Sequence, residues 1–313
     1  MNPQILIVIL TYNHLDETII TLNCFKKQVY DNFKIVVVDN ASTDVTCDFI
    51  KKFFPDITLI ENNENHGWAK GNNIGIKYAL ENGADYVLLA NNDLYFEDSS
   101  LLSKLVNNII GFSEKDNVRI IGTKQFSFFD KEKLQSNGIF YFNNNQKMNE
   151  KVNTYRNNNK TEFSENFKKV DSIIGAFILI KSNLFCEIGL IDDDYFFTWE
   201  DTDFCYRAWK NGFVCLVDED LKIYHKVSTS CKKKSAFTTY YLVRNQYLFL
   251  KKHKKTIPHP TYFFLNYYYK FFRKIIGILI FPSELYDSRF KVLKAAFNGF
   301  FDAVLLHKTG KGY

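Results

Sequence analysis

The chain has 313 residues, is 46% hydrophobic and 24% charged, and so has material for a large folded core; a disordered tail and a disulfide-stapled miniature are both excluded. The net charge of +5 conceals a division, because residues 226–313 hold 17 Lys or Arg against 3 Asp or Glu, a net +14, and residues 1–225 are left at −9. Six cysteines without a Cys-x-x-Cys pair point to neither a zinc ribbon nor a redox motif and fit reduced thiols in a cytosolic protein. The apolar run 5–10 is too short for a signal-peptide core, and the run 275–281 falls well short of the ~20 residues that span a bilayer.

In chain order, β-rich apolar runs at Ile5 to Leu10, Lys34 to Val38, Ile57 to Ile60 and Tyr86 to Leu89 predict four strands. Helical segments near 15–28, 43–53 and 70–82 lie between them, preceded by the turn or capping residues Asn13, Ser42 and Gly67. This is the pattern of right-handed βαβ units in a mostly parallel, doubly wound α/β sheet. Such sheets bind ligands beyond the carboxyl ends of their strands, where Thr11-Tyr12-Asn13, Asp39-Asn40, Asn65 to Gly67 and Asn91-Asn92-Asp93 fall.

Residues 130–169 read as a polar excursion, a hairpin and a loop. A buried strand follows at Ile173 to Ile180, then a short helix, the acidic segment Asp192 to Asp203, a helix to Asn211, and strands near 213–217 and 221–225. Two domains are expected: an acidic α/β body over 1–225 and a basic, aromatic, helical region over 226–313.

Neither the dinucleotide fingerprint Gly-x-Gly-x-x-Gly nor a P-loop follows the first strand, so a phosphate needs another holder, and a metal ion on acidic residues is the usual substitute. Asp39 and Asp93 each close an apolar strand. Glu200, Asp201 and Asp203 follow Phe196, Phe197 and Trp199, where partial desolvation raises a carboxylate toward general-base use. Each has a plainer explanation when taken alone: a turn or cap aspartate for Asp39, an Asx-turn for Asp93, and acids favouring a helix start for 200–203.

Together the motifs resemble the family 2 glycosyltransferases, inverting nucleotide-sugar enzymes of GT-A fold, and most closely their rhamnosyltransferase-like branch. The resemblance rests on Val8-Ile9-Leu10-Thr11-Tyr12-Asn13, Val37-Val38-Asp39-Asn40-Ala41-Ser42-Thr43-Asp44, Asn65-His66-Gly67-Trp68-Ala69-Lys70-Gly71-Asn72-Asn73-Ile74-Gly75 and Leu88-Leu89-Ala90-Asn91-Asn92-Asp93. It continues through Gly175-Ala176-Phe177, Glu200-Asp201-Thr202-Asp203 to Arg207, and His225, and spans about residues 3 to 250.

The resemblance implies that Thr11, Tyr12 and Asn13 line a base pocket, with Asp39 accepting the imide N–H of uracil or thymine. Asp93 matches the metal-binding aspartate of the family's Asp-x-Asp, implying Mg2+ or Mn2+ on the diphosphate. Asn91 stands at the first acidic position and is assigned to the ribose beside Asn92; His225 matches a histidine that completes the metal or diphosphate site in several relatives. Lys70 and Asn73 match base or diphosphate contacts, and Arg207 is either a diphosphate contact or an ion-pair partner of another strand or loop. Asp201 matches the catalytic base, while Glu200 and Asp203 are expected to orient the acceptor and the helix.

The implied activity is inverting transfer of a sugar, with dTDP-rhamnose as the suggested donor, to a hydroxyl of a surface polysaccharide or lipid-linked glycan. The competing reading is an inactive GT-A-like scaffold of a membrane glycan-assembly complex; the joint presence of Asp39, Asp93 and Asp201 speaks against it. In the basic end, Tyr240 to Leu250 is expected to pack on the core, and 261–281, with Lys270, Arg273 and Lys274 among its rings, to lie on the cytoplasmic face of a membrane. Nucleic acid is disfavoured as a partner by the acidic body and the absence of a recognition motif.

Overall fold

The computed structural model describes residues 2–140, 167–226 and 235–306. The first hundred residues form β1 (Ile5–Thr11), α1 (Leu15–Lys26), β2 (Phe33–Asp39), α2 (Thr46–Phe53), β3 (Thr58–Glu61), α3 (Gly67–Glu81) and β4 (Tyr86–Asn91). The expected strands are all present, each within one or two residues of its expected limits. β1 and β4 are buried on both faces, which explains why they read as continuous apolar runs.

The chain continues through β5 (Leu94–Tyr95), α4 (Leu101–Ile110), β6 (Val118–Ser127), β7 (Leu134–Ser136), β8 (Phe167–Val170), β9 (Phe177–Lys181), α5 (Asn183–Ile188), α6 (Glu200–Lys210) and β10 (Val214–His225). Among the described residues these strands make one sheet in the order β3-β2-β1-β4-β9-β6-β10-β5, with β7 on β6 and β8 on β10. The parallel arrangement holds for β3-β2-β1-β4; beyond it the sheet is mixed, since β9 runs antiparallel between β4 and β6.

Alternate residues of the strands feed two cores. Ile5, Ile7 and Ile9 face α1 and α4, whereas Leu6 and Val8 face α3, α5 and α6. α3 lies close against β1 because Gly71 and Gly75 lack side chains: a Cβ would come within 2.6 Å of Leu10 and 2.3 Å of Val8 respectively.

Two sequence expectations change, and a third is seen only in part. The strands expected near 213–217 and 221–225 are one strand, β10, with an irregularity between Asp218 and Lys222, where the buried Asp218 carboxylate accepts the backbone N–H of Asp220 and Leu221. Asn13 and Ser42 do not cap the following helices; they tie their two loops together, and Asp44 accepts Thr46 N instead. Of the polar excursion, β7 and β8 are seen, while 141–166 lie outside the described residues, as does Cys231. The other five cysteines are free thiols.

After 234 come α7 (Ala236–His253), α8 (Pro260–Ile280) and α9 (Arg289–Phe301). Their apolar faces share a core with Tyr195 and Tyr206 from the sheet body, as the packing reading of Tyr240 to Leu250 expects. None of the described helices is long and apolar enough to cross a membrane.

Candidate active site

The carboxyl ends of β1, β2 and β4 meet in register, Thr11 beside Asp39 and Leu10 beside Asn91. Asp39 is buried. Its Oδ2 accepts Ser42 N at 2.8 Å, and its Oδ1 accepts the Ser42 hydroxyl. Asn13, at φ 58°, joins this loop: its N–H donates to Ser42 Oγ at 2.6 Å and its Oδ1 accepts Thr43 N at 2.9 Å.

Thr11 is buried, and its hydroxyl meets Thr18 Oγ1 at 3.0 Å and Asn92 Nδ2 at 3.2 Å. Thr11 and Asn92 therefore shape the floor from below rather than presenting side chains to it. Tyr12 has an exposed ring, and Lys70 is exposed in the first turn of α3.

Beyond β4, His225 Nε2 stands 3.0 Å from Asp93 Oδ1. That oxygen is buried and accepts no hydrogen bond of ordinary geometry; the imidazole stands at ion-pair distance from it. A buried carboxylate oxygen at ion-pair distance from a ring nitrogen suits a shared cation, a hard oxygen donor with an imidazole. Among the described residues no group of three His, Cys, Asp or Glu could hold a metal, so the described side chains alone do not complete a site. Asn91 spans the gap: its Oδ1 accepts Trp68 Nε1 at 3.1 Å and its Nδ2 lies 3.4 Å from His225 Nε2.

Trp68 links this group to the acidic segment. Its backbone N–H donates to Phe196 O at 2.8 Å. Its ring lies where a side chain on Gly175 would be, since a Cβ there would be 2.7 Å away. Gly175 N in turn donates to Asp201 Oδ2 at 3.0 Å, and Asp201 Oδ1 accepts Thr202 N at 2.6 Å.

Glu200 and Asp201 follow Thr198 and Trp199, both at positive φ, 67° and 73°. Neither residue type favours that region, and each such residue costs on the order of 1–3 kcal/mol unless its surroundings hold it. Burial raises the Asp201 carboxyl above its ordinary range against the opposing hydrogen bonds of Gly175 and Thr202. Burial, and then the charge of Asp201, pushes Glu200 well above its range; its Oε2 is enclosed without a hydrogen-bond partner. Both neighbouring acids are thus raised, Glu200 well above its ordinary value, and of the two Asp201 is the part-accessible one.

Three sequence assignments are corrected. Glu200, expected to orient the acceptor, is only 6% exposed. Arg207 is assigned no diphosphate: its Nε donates to Asp203 Oδ2 at 2.7 Å, one helical turn back, and its terminal nitrogens donate to Ile188 O and Leu190 O at 2.6 and 2.8 Å. Asn73 is buried with its amide closed on Ile191, donating to the carbonyl at 2.7 Å and accepting the N–H at 3.1 Å. Trp68 and Gly175 stood in the quoted motifs, but nothing in their spacing pairs them with each other.

A surface cavity of about 1090 Å³, lined by Asp31, Asp85, Lys181 and Asn183 among others, lies at the opposite edge, by the amino ends of β1 and β4. It is about 20 Å away along the strands and takes no part in this site.

The model of the family described as "Glycosyl transferase family 2" matches residues 6–189. The chain is 28% identical over 261 residues to the dTDP-rhamnosyl transferase RfbF of Shigella flexneri, covering 80% of this chain and 81% of the relative. The mannosyltransferase PcManGT of Pyrobaculum calidifontis, solved with GDP-Man and Mn2+, superposes with a TM-score of 0.58 at 14% identity over 96% of this chain and 74% of its own. TarS 1-349 of S. aureus, solved with UDP-GlcNAc, gives 0.58 at 19% identity over 96% and 81%. These structures share the GT-A fold with this chain. The strand-end loops, the paired acids of α6 and the match across most of the sheet agree: the chain belongs to glycosyltransferase family 2.

Proposed function

We propose that this glycosyltransferase moves a sugar from a pyrimidine nucleotide-sugar to a hydroxyl of a surface-polysaccharide or lipid-linked glycan, with inversion. The observation that carries the proposal is the continuous run of contacts from Asp93 and His225 through Asn91, Trp68 and Gly175 to Asp201, which would join a diphosphate site and a base in one unit. Asp201 takes the proton of the acceptor hydroxyl as its oxygen attacks the anomeric carbon opposite the departing nucleotide. A single displacement inverts the configuration and forms no covalent enzyme intermediate. Asp39 accepts the imide N–H of the base, and Tyr12 offers a stacking face. Similarity to a dTDP-rhamnosyl transferase supports dTDP-rhamnose as the first donor to try.

Asp93 and His225 would hold a divalent cation, Mg2+ or Mn2+, whose chemistry is to neutralise charge on the departing diphosphate.

A second surface supports membrane association. Tyr262, Leu265, Tyr269, Phe272, Ile276 and Leu279 are exposed along α8 at alternating spacings of three and four, an apolar stripe flanked by exposed Lys270 and Arg273. Neither α8 nor α9 contains an acidic residue. Such a face suits the interface of anionic lipid, where a basic side chain contributes about 1 kcal/mol.

The function is tested by incubating the full chain and its Asp201→Asn variant with dTDP-rhamnose, UDP-glucose, UDP-GlcNAc and GDP-mannose in Mn2+. Turnover of a pyrimidine donor by the parent alone, with nucleotide binding kept in the variant, is expected. Equal turnover by both would reject the base, and binding of none would reject the donor site.

A further inference from the structure

α7 meets the acidic segment along a single ridge. Tyr241, Asn245, Phe249 and His253 recur at every fourth residue and so form one inclined row on the helix. Each meets a successive part of residues 196–203. The Tyr241 ring stacks on Phe196 with centroids 5.4 Å apart, and Phe249 lies 5.3 Å from Trp199. His253 Nε2 is 2.7 Å from Asp203 Oδ1. Between the rings, Asn245 Nδ2 donates to Phe197 O at 2.8 Å and to Thr198 O at 2.9 Å.

The amide is oriented from its other end. Arg244 donates to Asn245 Oδ1 and, at 3.2 Å, to Asp194 O; both residues are fully buried. With its oxygen engaged by Arg244, the nitrogen end of Asn245 faces the two carbonyls. An apolar residue of equal size would fill the space but take its donor away from those two part-buried carbonyls. The two carbonyls belong to the turn in which Thr198 and Trp199 adopt left-handed conformations immediately before Glu200 and Asp201.

We propose that Asn245, oriented by Arg244, is a positioning residue for sugar transfer: it holds the Thr198–Trp199 turn and thereby sets where Asp201 presents its carboxylate. This rests on the reading of Asp201 as the base. Asn245 is fully buried and acts through the turn alone. The helical region after the sheet thus takes part in the chemistry, although no substrate contact is assigned to α7.

The test compares full-length Asn245→Asp, Asn245→Ser, Ile278→Ala and Asp201→Asn, each with the pyrimidine donor that the parent turns over, in Mn2+. Aspartate keeps the shape of asparagine but has no N–H to donate; serine keeps one donor. Ile278 is buried in the α7–α9 core and reports the effect of lost stability alone.

For Asn245→Asp, kcat is expected to fall about 100-fold, the scale of a small misplacement of a catalytic group, with donor KM and nucleotide binding unchanged. The acidic limb of its pH–rate profile should move, because the surroundings of the base have changed. Asn245→Ser should fall between this variant and the parent, and Ile278→Ala should lower the melting temperature without moving the limb. Parent-like kcat in Asn245→Asp would overturn the proposal, as would a loss matched by Ile278→Ala with the limb unmoved. Normal turnover by Asp201→Asn would instead overturn the base reading, and the positioning role with it, whatever Asn245 does.

Discussion

Gly175 donates its backbone N–H to Asp201 at 3.0 Å while the Trp68 ring occupies the space its side chain would need. One residue therefore supports the candidate base by being both a donor and small. Gly175→Ala should lower turnover by about 100-fold, because an indole cannot yield as a flexible side chain would and the 174–176 loop must shift instead. Donor binding should weaken less than turnover. Parent-like kinetics would show that the loop accommodates a methyl group freely.

The neighbouring acids should respond differently to neutral isosteres. Burial raises Glu200, so folding becomes less favourable as pH climbs from the ordinary carboxylate range through its raised folded value. Glu200→Gln should remove that loss, raising the melting temperature at about pH 8 relative to the parent while retaining most activity. Asp201→Asn should abolish turnover. A melting temperature lower in Glu200→Gln than in the parent at every pH would contradict a neutral Glu200.

Burial alone would raise Asp203, but the hydrogen bond from His253 and the charge of Arg207 outweigh it, and the carboxyl lies below its ordinary range. Its stabilising contribution is present above the unfolded carboxylate pKa and is lost as pH falls through the lower folded value. Arg207→Leu should cost about 3 kcal/mol of stability by leaving a buried charge short of a partner. Nucleotide affinity in folded protein should stay constant. Weaker nucleotide binding at unchanged stability would restore the diphosphate role to Arg207.

Asp93→Ala and His225→Ala should each reduce the Mn2+ dependence of nucleotide binding, read by calorimetry with and without the metal. Because the described side chains alone do not complete a site, Mn2+ without nucleotide should bind weakly even to the parent. Identical titrations for parent and variants would remove the metal from the proposal.

Replacing Leu265, Phe272 and Ile276 together by Ser should release the protein from vesicles containing phosphatidylserine, with its melting temperature kept, because α8 packs inward through Tyr267, Phe271 and Ile278 instead. Equal sedimentation of parent and variant would reject the membrane face.

The sequence makes the first four strands legible because parallel strands buried on both faces are continuous apolar runs, and their polar ends are ligand positions in any such sheet. Asp218 shows what hides an element: a polar residue followed by Glu219 and Asp220 reads as a turn, whereas its carboxylate binds the backbone inside one irregular strand. Asn73 and Arg207 have the chemistry of phosphate ligands, and only their partners, Ile191 and Asp203, reveal other duties. The ridge of α7 is visible as a four-residue period, but a period identifies a face and not what it meets.

The clamp on the Thr198–Trp199 turn has a consequence for the order in which the molecule becomes competent. The contacts among Thr11, Asn13, Asp39, Ser42 and Asn92 lie within the first hundred residues and can form early as the chain leaves the ribosome. Asn245, which fastens the turn before Asp201, is made some 150 residues later. In a nascent chain the strand-end loops would therefore be in place well before the turn that carries the proposed base, and transfer would await the last helices.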